Sequence, residues 1–426
     1  MLGREIAAAA RTTTGGSRIT WIVDLAGDPP PDPVVVRVEG QGSFTGTEVS
    51  LVREVAAFRA LASTRVPVPG VHAVHPDGSA AILERLAGTD DLDRFQPDDR
   101  AAALNDFAAV LAEMHRVDPD TLDLPGFGRP STPEEHARID LAMWQRLASS
   151  VVDLDPLIAY TGGWLQAHAP TTVARTVFVQ GDTGPGNFMA DAGRVTGLVD
   201  MEFAHIGDPM DDLAWVMMRM RSDAAYETFV DAYTRHGGAP IGPASVAFYR
   251  LAVDYRCAVT TSLAVARGGG ARGWAPYQLQ TQRYLDGIAE RLTAATGLQV
   301  PPVDVPEVGP TARTAMFDQL LATLRTAARS IADPEISAAT RNDQILVHLL
   351  RAHDRLGAAI EAGDAADLAG TGGAGATAID AGAAAAAGEA DDDRVLGVLL
   401  RRRRRQRLLW STLLERSAPP VRSLQS

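Results

Sequence analysis

Hydrophobic positions in the first part of the chain fall into short β-type runs. Val- and Ile-rich stretches at 17–24 and 33–39 flank the turn Gly27, Asp28, Pro29, Pro30, and both read as strands. Leu51, Val55 and Phe58 then recur at helical spacing, which predicts a helix over about 48–62. After Val66, Pro67, Val68, Pro69, residues 71–74 and 80–86 are again strand-like, on either side of the turn Pro76, Asp77, Gly78. The pattern predicts a small antiparallel sheet carrying a single helix.

From about residue 97 the period changes. Leu104, Phe107, Leu111 and Met114 mark a helix, followed by a strand near 176–179 and a β segment over 188–199. Helical text resumes from about Met210 to Thr296. A proline-rich break at 300–306 precedes two amphipathic helices, one marked by Met316, Leu320, Leu324 and Ile331, the other by Leu346, Leu349, Leu356 and Ile360. The Gly/Ala-rich stretch 363–390 reads as a linker. A last helix has acids at its start, Asp391 to Asp393, and arginines further along, as the helix dipole favours. These breaks divide the chain into 1–88, 89–300, 301–362, 363–390 and 391–426. The first two are expected to be the lobes of one α+β fold, the third an appended helical domain, and the last an Arg-rich helix and tail.

The 426 residues carry a net charge of −13, which argues against a nucleic-acid partner. There is no lysine, so all 40 basic residues are arginines and lysine-dependent motifs are excluded. The single cysteine, Cys257, permits neither an intrachain disulfide nor a Cys-rich zinc site. No apolar run is long enough for a signal or a membrane span, and a cytoplasmic setting is expected.

The segment from Val177 to Asp200 carries the chemistry. An apolar strand ends at Gln180, and a Gly/Pro loop bears Asp182 and Asn187. Two strands then flank the turn 191–194, and their pairing brings Asn187 beside Asp200. Phosphoryl transfer needs hard oxygen ligands for a divalent metal, which an amide and a carboxylate supply, and a separate carboxylate to take the proton of an attacking hydroxyl. The kinase catalytic loop has an Asp, an Asn five residues later and an Asp one hairpin on. Asp182, Asn187 and Asp200 keep that order. An ordinary turn would use the same residue types, so the loop alone does not decide. Further on, Asp208 and Asp212 read as caps or loop anchors. Glu54 lies on the apolar stripe of its helix, where a carboxylate is costly unless paired. Arg37 on the neighbouring strand is its expected partner.

Taken together, the stretch resembles the aminoglycoside phosphotransferase-like kinases, whose usual text is close to His-Gly-Asp-x-x-x-x-Asn, then Asp-Trp-Glu, then Gly-Asp-Pro-x-x-Asp-Leu-Ala. It looks most like the branch related to acyl-CoA-dehydrogenase-associated phosphotransferases, over roughly residues 12–295. Gln180 stands where the family usually has His, and Arg37 where it has the phosphate-contacting lysine. The resemblance implies a protein-kinase-like bilobal fold and transfer from Mg-ATP or Mg-GTP to a hydroxyl of a small molecule. Acceptors of the family's kind are an aminoglycoside-like amine, a choline-like alcohol or a hydroxyacyl thioester. It implies Asp182 as base, Asn187 and Asp200 as magnesium ligands, and Arg37 with Glu54 as the phosphate-contacting pair. Gly15, Gly16 and Ser17 would cover the phosphates, and Glu84 to Leu86 would be the hinge that meets adenine.

The competing reading is a kinase-shaped nucleotide-binding regulatory module without turnover. A protein kinase fits less well, since the strand lysine and the His-Arg-Asp triplet are absent. His115 reads as a satisfied helix histidine. The arginine run 401–405 reads as a solvated amphipathic helix with paired charges. The helices at 310–362 are expected to pack on the kinase core or to mediate homo-oligomer assembly.

Overall fold

A computed structural model of the chain describes residues 2–12, 18–27, 32–40, 44, 47–269, 273–304, 306–369 and 393–417. Two compact units divide it: Met1–Met143 with Ala169–Val253, and Trp144–His168 with Asp254–Ser426.

The first unit opens with strands β1 (Ile6–Arg11), β2 (Arg18–Leu25) and β3 (Val34–Glu39). Helix α1 (Leu51–Leu61) follows, then β4 (Val71–Val74) and β5 (Ala80–Glu84). These five strands form one sheet in the order β1-β2-β3-β5-β4, every pair antiparallel. Strand β1 was not expected, because its alanines carry no β-type signal. It sits at the sheet edge with all six residues exposed. Ser50 caps α1 by accepting from the Arg53 N–H, and Leu51, Val55 and Phe58 are buried as their spacing predicts. Glu54 is buried among them.

The helical part of this unit holds α2 (Pro97–Met114), the first part of α3 (Glu135–Ser149), α5 (Pro209–Arg219), α6 (Asp223–Arg235) and the start of α7 (Pro243–Ala266). Two β pairs are set into it. Strand β6 (Val177–Val179) pairs with β9 (His205–Gly207), and β7 (Phe188–Asp191) pairs with β8 (Arg194–Leu198). Phe188 stacks on Phe107 of α2, with centroids 4.3 Å apart, so the hairpin is seated on that helix. The segment after β5 is tied to the same hairpin, as Thr89 and Ala190 exchange backbone hydrogen bonds of 2.9 and 3.0 Å. Gly88 makes this approach possible: its φ is +89° and a Cβ there would collide with Ala190 O.

The second unit contains α4 (Pro156–Ala167), α8 (Trp274–Thr296), α9 (Thr314–Ser330), α10 (Pro334–Ala369) and α11 (Asp393–Ser417). Its core gathers Leu279, Ile360, Leu409, Trp410, Leu413 and Leu414. Three expectations are corrected here. Helix α10 runs to Ala369, seven residues into the expected linker. The alanines there favour helix, Asp364 and Asp367 tie it to Arg405 of α11, and the rest of the linker lies outside the described residues. On α9 the packed side is marked by Leu321 and Ala328, while Met316 and Leu320 remain 69% and 45% exposed. The arginine run is paired, as expected, but not simply solvated. Arg403 and Arg405 are buried, Arg403 on Asp286 and Gln282 and Arg405 on Asp364 and Asp367. Among the described residues no helix is long and apolar enough to cross a membrane.

Candidate active site

The loop after β6 turns on three glycines with positive φ, Gly181, Gly184 and Gly186. Asp212, in the first turn of α5, holds its start. Its Oδ2 accepts from the Gln180 N–H (3.0 Å), and its Oδ1 from the Gly181 N–H (2.9 Å) and the Thr183 hydroxyl. His115 contributes Nε2 at 3.0 Å from the same carboxylate, and its Nδ1 meets the Tyr233 hydroxyl at 2.8 Å. Both residues are fully buried, so a charge that would otherwise be costly is satisfied on every side. Asp208 caps α5 through the Met210 N–H (2.9 Å), and burial pushes its carboxyl up to about 7. Cap and anchor are the roles their positions suggested.

Gln180 closes the other side of the loop. Its amide donates to Asn187 O (3.2 Å) and Val199 O (2.8 Å), joining the two outer ends of the β7–β8 hairpin. The Val199 N–H adds a bond to Asn187 O (3.1 Å). Asn187 and Asp200 therefore stand at one end of the hairpin, as the turn at 191–194 implied. Asn187 Nδ2 donates to Asp182 O (2.6 Å) and Asp182 Oδ2 (2.7 Å). With its nitrogen committed to Asp182, the amide presents its oxygen as the end able to meet a cation.

Asp182 and Asp200 keep 15% and 29% of their side chains exposed, enough to be reached from solvent. Burial pushes the Asp182 carboxyl above its usual range, while the guanidinium of Arg219 pulls the other way. Asp200 has φ +61°, a left-handed conformation uncommon for a residue with a side chain. Arg37 holds it there, with Nη2 at 3.2 Å from Asp200 Oδ1 and Nη1 at 2.5 Å from Glu54 Oε1. The expected Arg37–Glu54 pair is thus one side of a larger cluster. Burial opposes the charge on Arg37, but Glu54, Asp200 and Glu202 outweigh it and hold the guanidinium firmly protonated.

Arg18, on the first position of β2, completes the cluster. It pairs with Glu202, and its Nη1 lies 3.5 Å from Glu54 Oε2. Burial pushes both Glu54 and Glu202 up, and the two arginines work against that. Neither Arg18 nor Arg219 was singled out in the sequence. An arginine at a strand start or in a helix's last turn has ordinary reasons to be there, and no local pattern marks its partner.

The hinge and cover residues stand differently. Glu84 gives its N–H to Gly70 O (2.8 Å), and its side chain accepts from the Gly70 N–H (2.9 Å). Leu86 packs over Gly197 of β8, where a Cβ would come within 2.6 Å of Leu86 Cδ1. Gly15, Gly16 and Ser17 lie outside the described residues. A separate buried group brings Asp140, His205 and Asp211 together. His205 Nδ1 is 3.0 Å from Phe203 O and Nε2 is 3.2 Å from Asp211 Oδ2, which ties β9 to the start of α5. Arg53 donates to Ala204 O (2.8 Å) beside it, so a cation already serves that corner.

As a donor set, Asn187 and Asp200 supply an amide and a carboxylate oxygen at one hairpin end. This suits a hard divalent cation such as magnesium. Asp182 stands beside the pair as a second carboxylate.

Comparison with known proteins bears on the family and the fold. Residues 13–249, more than half of the chain, match the model of the phosphotransferase enzyme family. A probable acyl-CoA dehydrogenase, IBR3, of Arabidopsis thaliana is 28% identical over 222 residues, which are 48% of this chain and 27% of that protein. Acyl-CoA dehydrogenase family member 10 of Mus musculus is 27% identical over 217 residues, 47% of this chain and 19% of that one. The match thus spans about a quarter or less of these relatives, whose names agree with the branch that the motif resembles. Among solved structures, a putative aminoglycoside phosphotransferase from Ralstonia eutropha superposes with a TM-score of 0.53 at 21% identity, covering 69% of this chain and 94% of its own. Choline kinase LicA from Streptococcus pneumoniae gives 0.51 at 17%, covering 67% and 94%. These two likenesses establish the protein-kinase-like fold. By the extent of the family match, the chain belongs to the phosphotransferase enzyme family.

Proposed function

We propose that this protein transfers a phosphoryl group from a nucleoside triphosphate, ATP or GTP, to a hydroxyl of a small molecule. The observation that carries the reading is the junction at the hairpin end, where Asp182 is bonded to Asn187 and Asp200 is held by the Arg37–Glu54 pair. Asp182 takes the proton of the acceptor hydroxyl. Asn187 and Asp200 would hold magnesium, which when bound neutralises charge on the phosphates. Arg37 contacts the phosphates, aligned by Glu54. Arginine presents a planar two-pronged head where lysine presents a point charge, so it can serve Glu54 and Asp200 at once. The backbone from Glu84 to Leu86 meets the base of the nucleotide, the Glu84 carbonyl doing so in place of its committed N–H.

For the acceptor, the names of the two relatives favour a hydroxylated acyl thioester over an amine-bearing sugar or a choline-like alcohol. The test is consumption of Mg-ATP and Mg-GTP against a library of hydroxylated metabolites containing all three classes. Acceptor-dependent release of nucleoside diphosphate, with the phosphorylated product found by mass spectrometry, is the expected result. Nucleotide binding without turnover on any class would instead favour the regulatory-module reading.

A further inference from the structure

Helix α5 grips the Asp182 loop at two points. Asp212 and Arg219 are seven residues apart, hence on one face of the helix. Asp212 takes the loop's beginning, at Gln180, Gly181 and Thr183. Arg219, in the last turn, takes its middle: one Nη donates to Asp182 Oδ1, and the other to Pro185 O at 3.0 Å. Trp215 lies between them on the same helix, its ring centroid 5.9 Å from Arg219 Cζ.

We propose that Arg219 is a positioning residue, which sets the rotamer of Asp182 by clamping its carboxylate and the loop backbone at Pro185 to α5. The inference rests on the reading of Asp182 as the base. Three observations support it. The carboxylate is held on both oxygens, Oδ2 by Asn187 and Oδ1 by Arg219, so its orientation is defined only with both in place. The guanidinium spends its second arm on the loop backbone, a geometry that a lysine could not reproduce. And the loop is shaped to admit the side chain: a Cβ on Gly184 would lie 2.8 Å from Arg219 Cδ. A helix-terminal arginine serving only the dipole needs none of these.

The experiment compares Arg219→Gln and Arg219→Lys with the wild type. Turnover is read with the acceptor from the screen, or as slow hydrolysis of Mg-ATP with water as acceptor. Displacing a reacting group by about 1 Å can cost on the order of 10²-fold. Arg219→Gln should therefore lower kcat roughly 10- to 100-fold, with the KM for Mg-ATP changed less than about threefold, and Arg219→Lys should restore only a small part. A KM that rises in step with the fall in kcat would overturn the proposal. So would full rescue by lysine. A crystal structure of Arg219→Gln gives a readout that does not need activity. Asp182 should leave its single rotamer, and an unchanged carboxylate sinks the positioning role whatever the kinetics. Failure of Asp182 as base would show separately, as unchanged turnover in Asp182→Asn. Should Arg219→Gln not fold, the structure of Arg219→Lys answers the same question, with an unmoved Asp182 again negative.

Discussion

Asn187 donates its side-chain amide to both the backbone carbonyl and the carboxylate of Asp182, at 2.6 and 2.7 Å. Candidate base and candidate metal ligand are thereby one rigid unit, and a substitution in either must be judged by what it does to the other.

Asp182→Asn keeps the size of the side chain and one acceptor oxygen, enough for Asn187 or Arg219 but not both, and removes the proton acceptor. Mg-ATP affinity is expected to stay within a few-fold of the wild type. Turnover should drop by about 10²–10⁴-fold, the usual worth of general-base assistance. Binding by calorimetry and rate by coupled assay, on one preparation, decide the matter.

Asp200 is the more exposed of the two carboxylates, Asp182 and Asp200. Mg-ATP should raise the melting temperature by mass action on the native state, and Asp200→Ala should abolish the part that EDTA removes from wild type. Equal shifts with and without chelator in the wild type would count against the donor set.

Glu54 lies between two arginines and is fully buried. Glu54→Gln leaves Arg18 and Arg37 with less counter-charge, so a fall in melting temperature should accompany the fall in kcat. Arg18→Gln distinguishes the two effects, because Arg18 does not touch Asp200 directly. It should cost stability of about 1–3 kcal/mol while reducing kcat less than Glu54→Gln does, as seen by urea unfolding beside initial rates.

Asp208 offers a test by pH. Burial holds its carboxyl near 7 in the folded chain, and one oxygen is without a hydrogen-bond partner among the described residues. Below about pH 4 the group is protonated folded or unfolded. As pH rises toward 7 the unfolded state loses the proton first, so this residue's contribution to stability falls over that window. Asp208→Asn retains a good N-cap without a titrating group. Its melting temperature relative to wild type should climb between pH 4 and 7 and then level off, and a difference that does not vary with pH would contradict the burial argument.

Arg403, 4% exposed, binds Asp286 Oδ1 at 2.8 Å and Gln282 O at 2.7 Å. Arg403→Ala leaves Gln282 without this donor while Asp286, 30% exposed, keeps Arg407, and it should destabilise by about 1–3 kcal/mol. Exposed Arg404, on Val300 O and Pro301 O, should matter far less when replaced by alanine. Thermal unfolding of both variants is the measurement.

Much of the site was legible from order and period alone. An apolar strand, a Gly/Pro loop and a hairpin turn at 191–194 fix where Asp182, Asn187 and Asp200 fall, because a hairpin's register follows from its turn. Glu54 revealed its need for a cation by lying on an apolar stripe, and the adjacent strand offered Arg37. In both cases the partners are close in sequence, or the repeat period states which way a side chain faces.

What only the tertiary structure decided are pairings whose members are far apart along the chain. Arg18 meets Glu202 across 184 residues and Arg219 meets Asp182 across 37, with no shared period to signal either. Periodicity likewise shows that a helix has an apolar face, not which neighbour covers it. So Leu321 is buried while Leu320 is not, and Arg401, Arg402, Arg403 and Arg405 find carboxylates that composition could not locate. The physical reason is common to all of these: backbone geometry fixes a side chain's direction locally, whereas the group it meets is selected by the packing of distant elements.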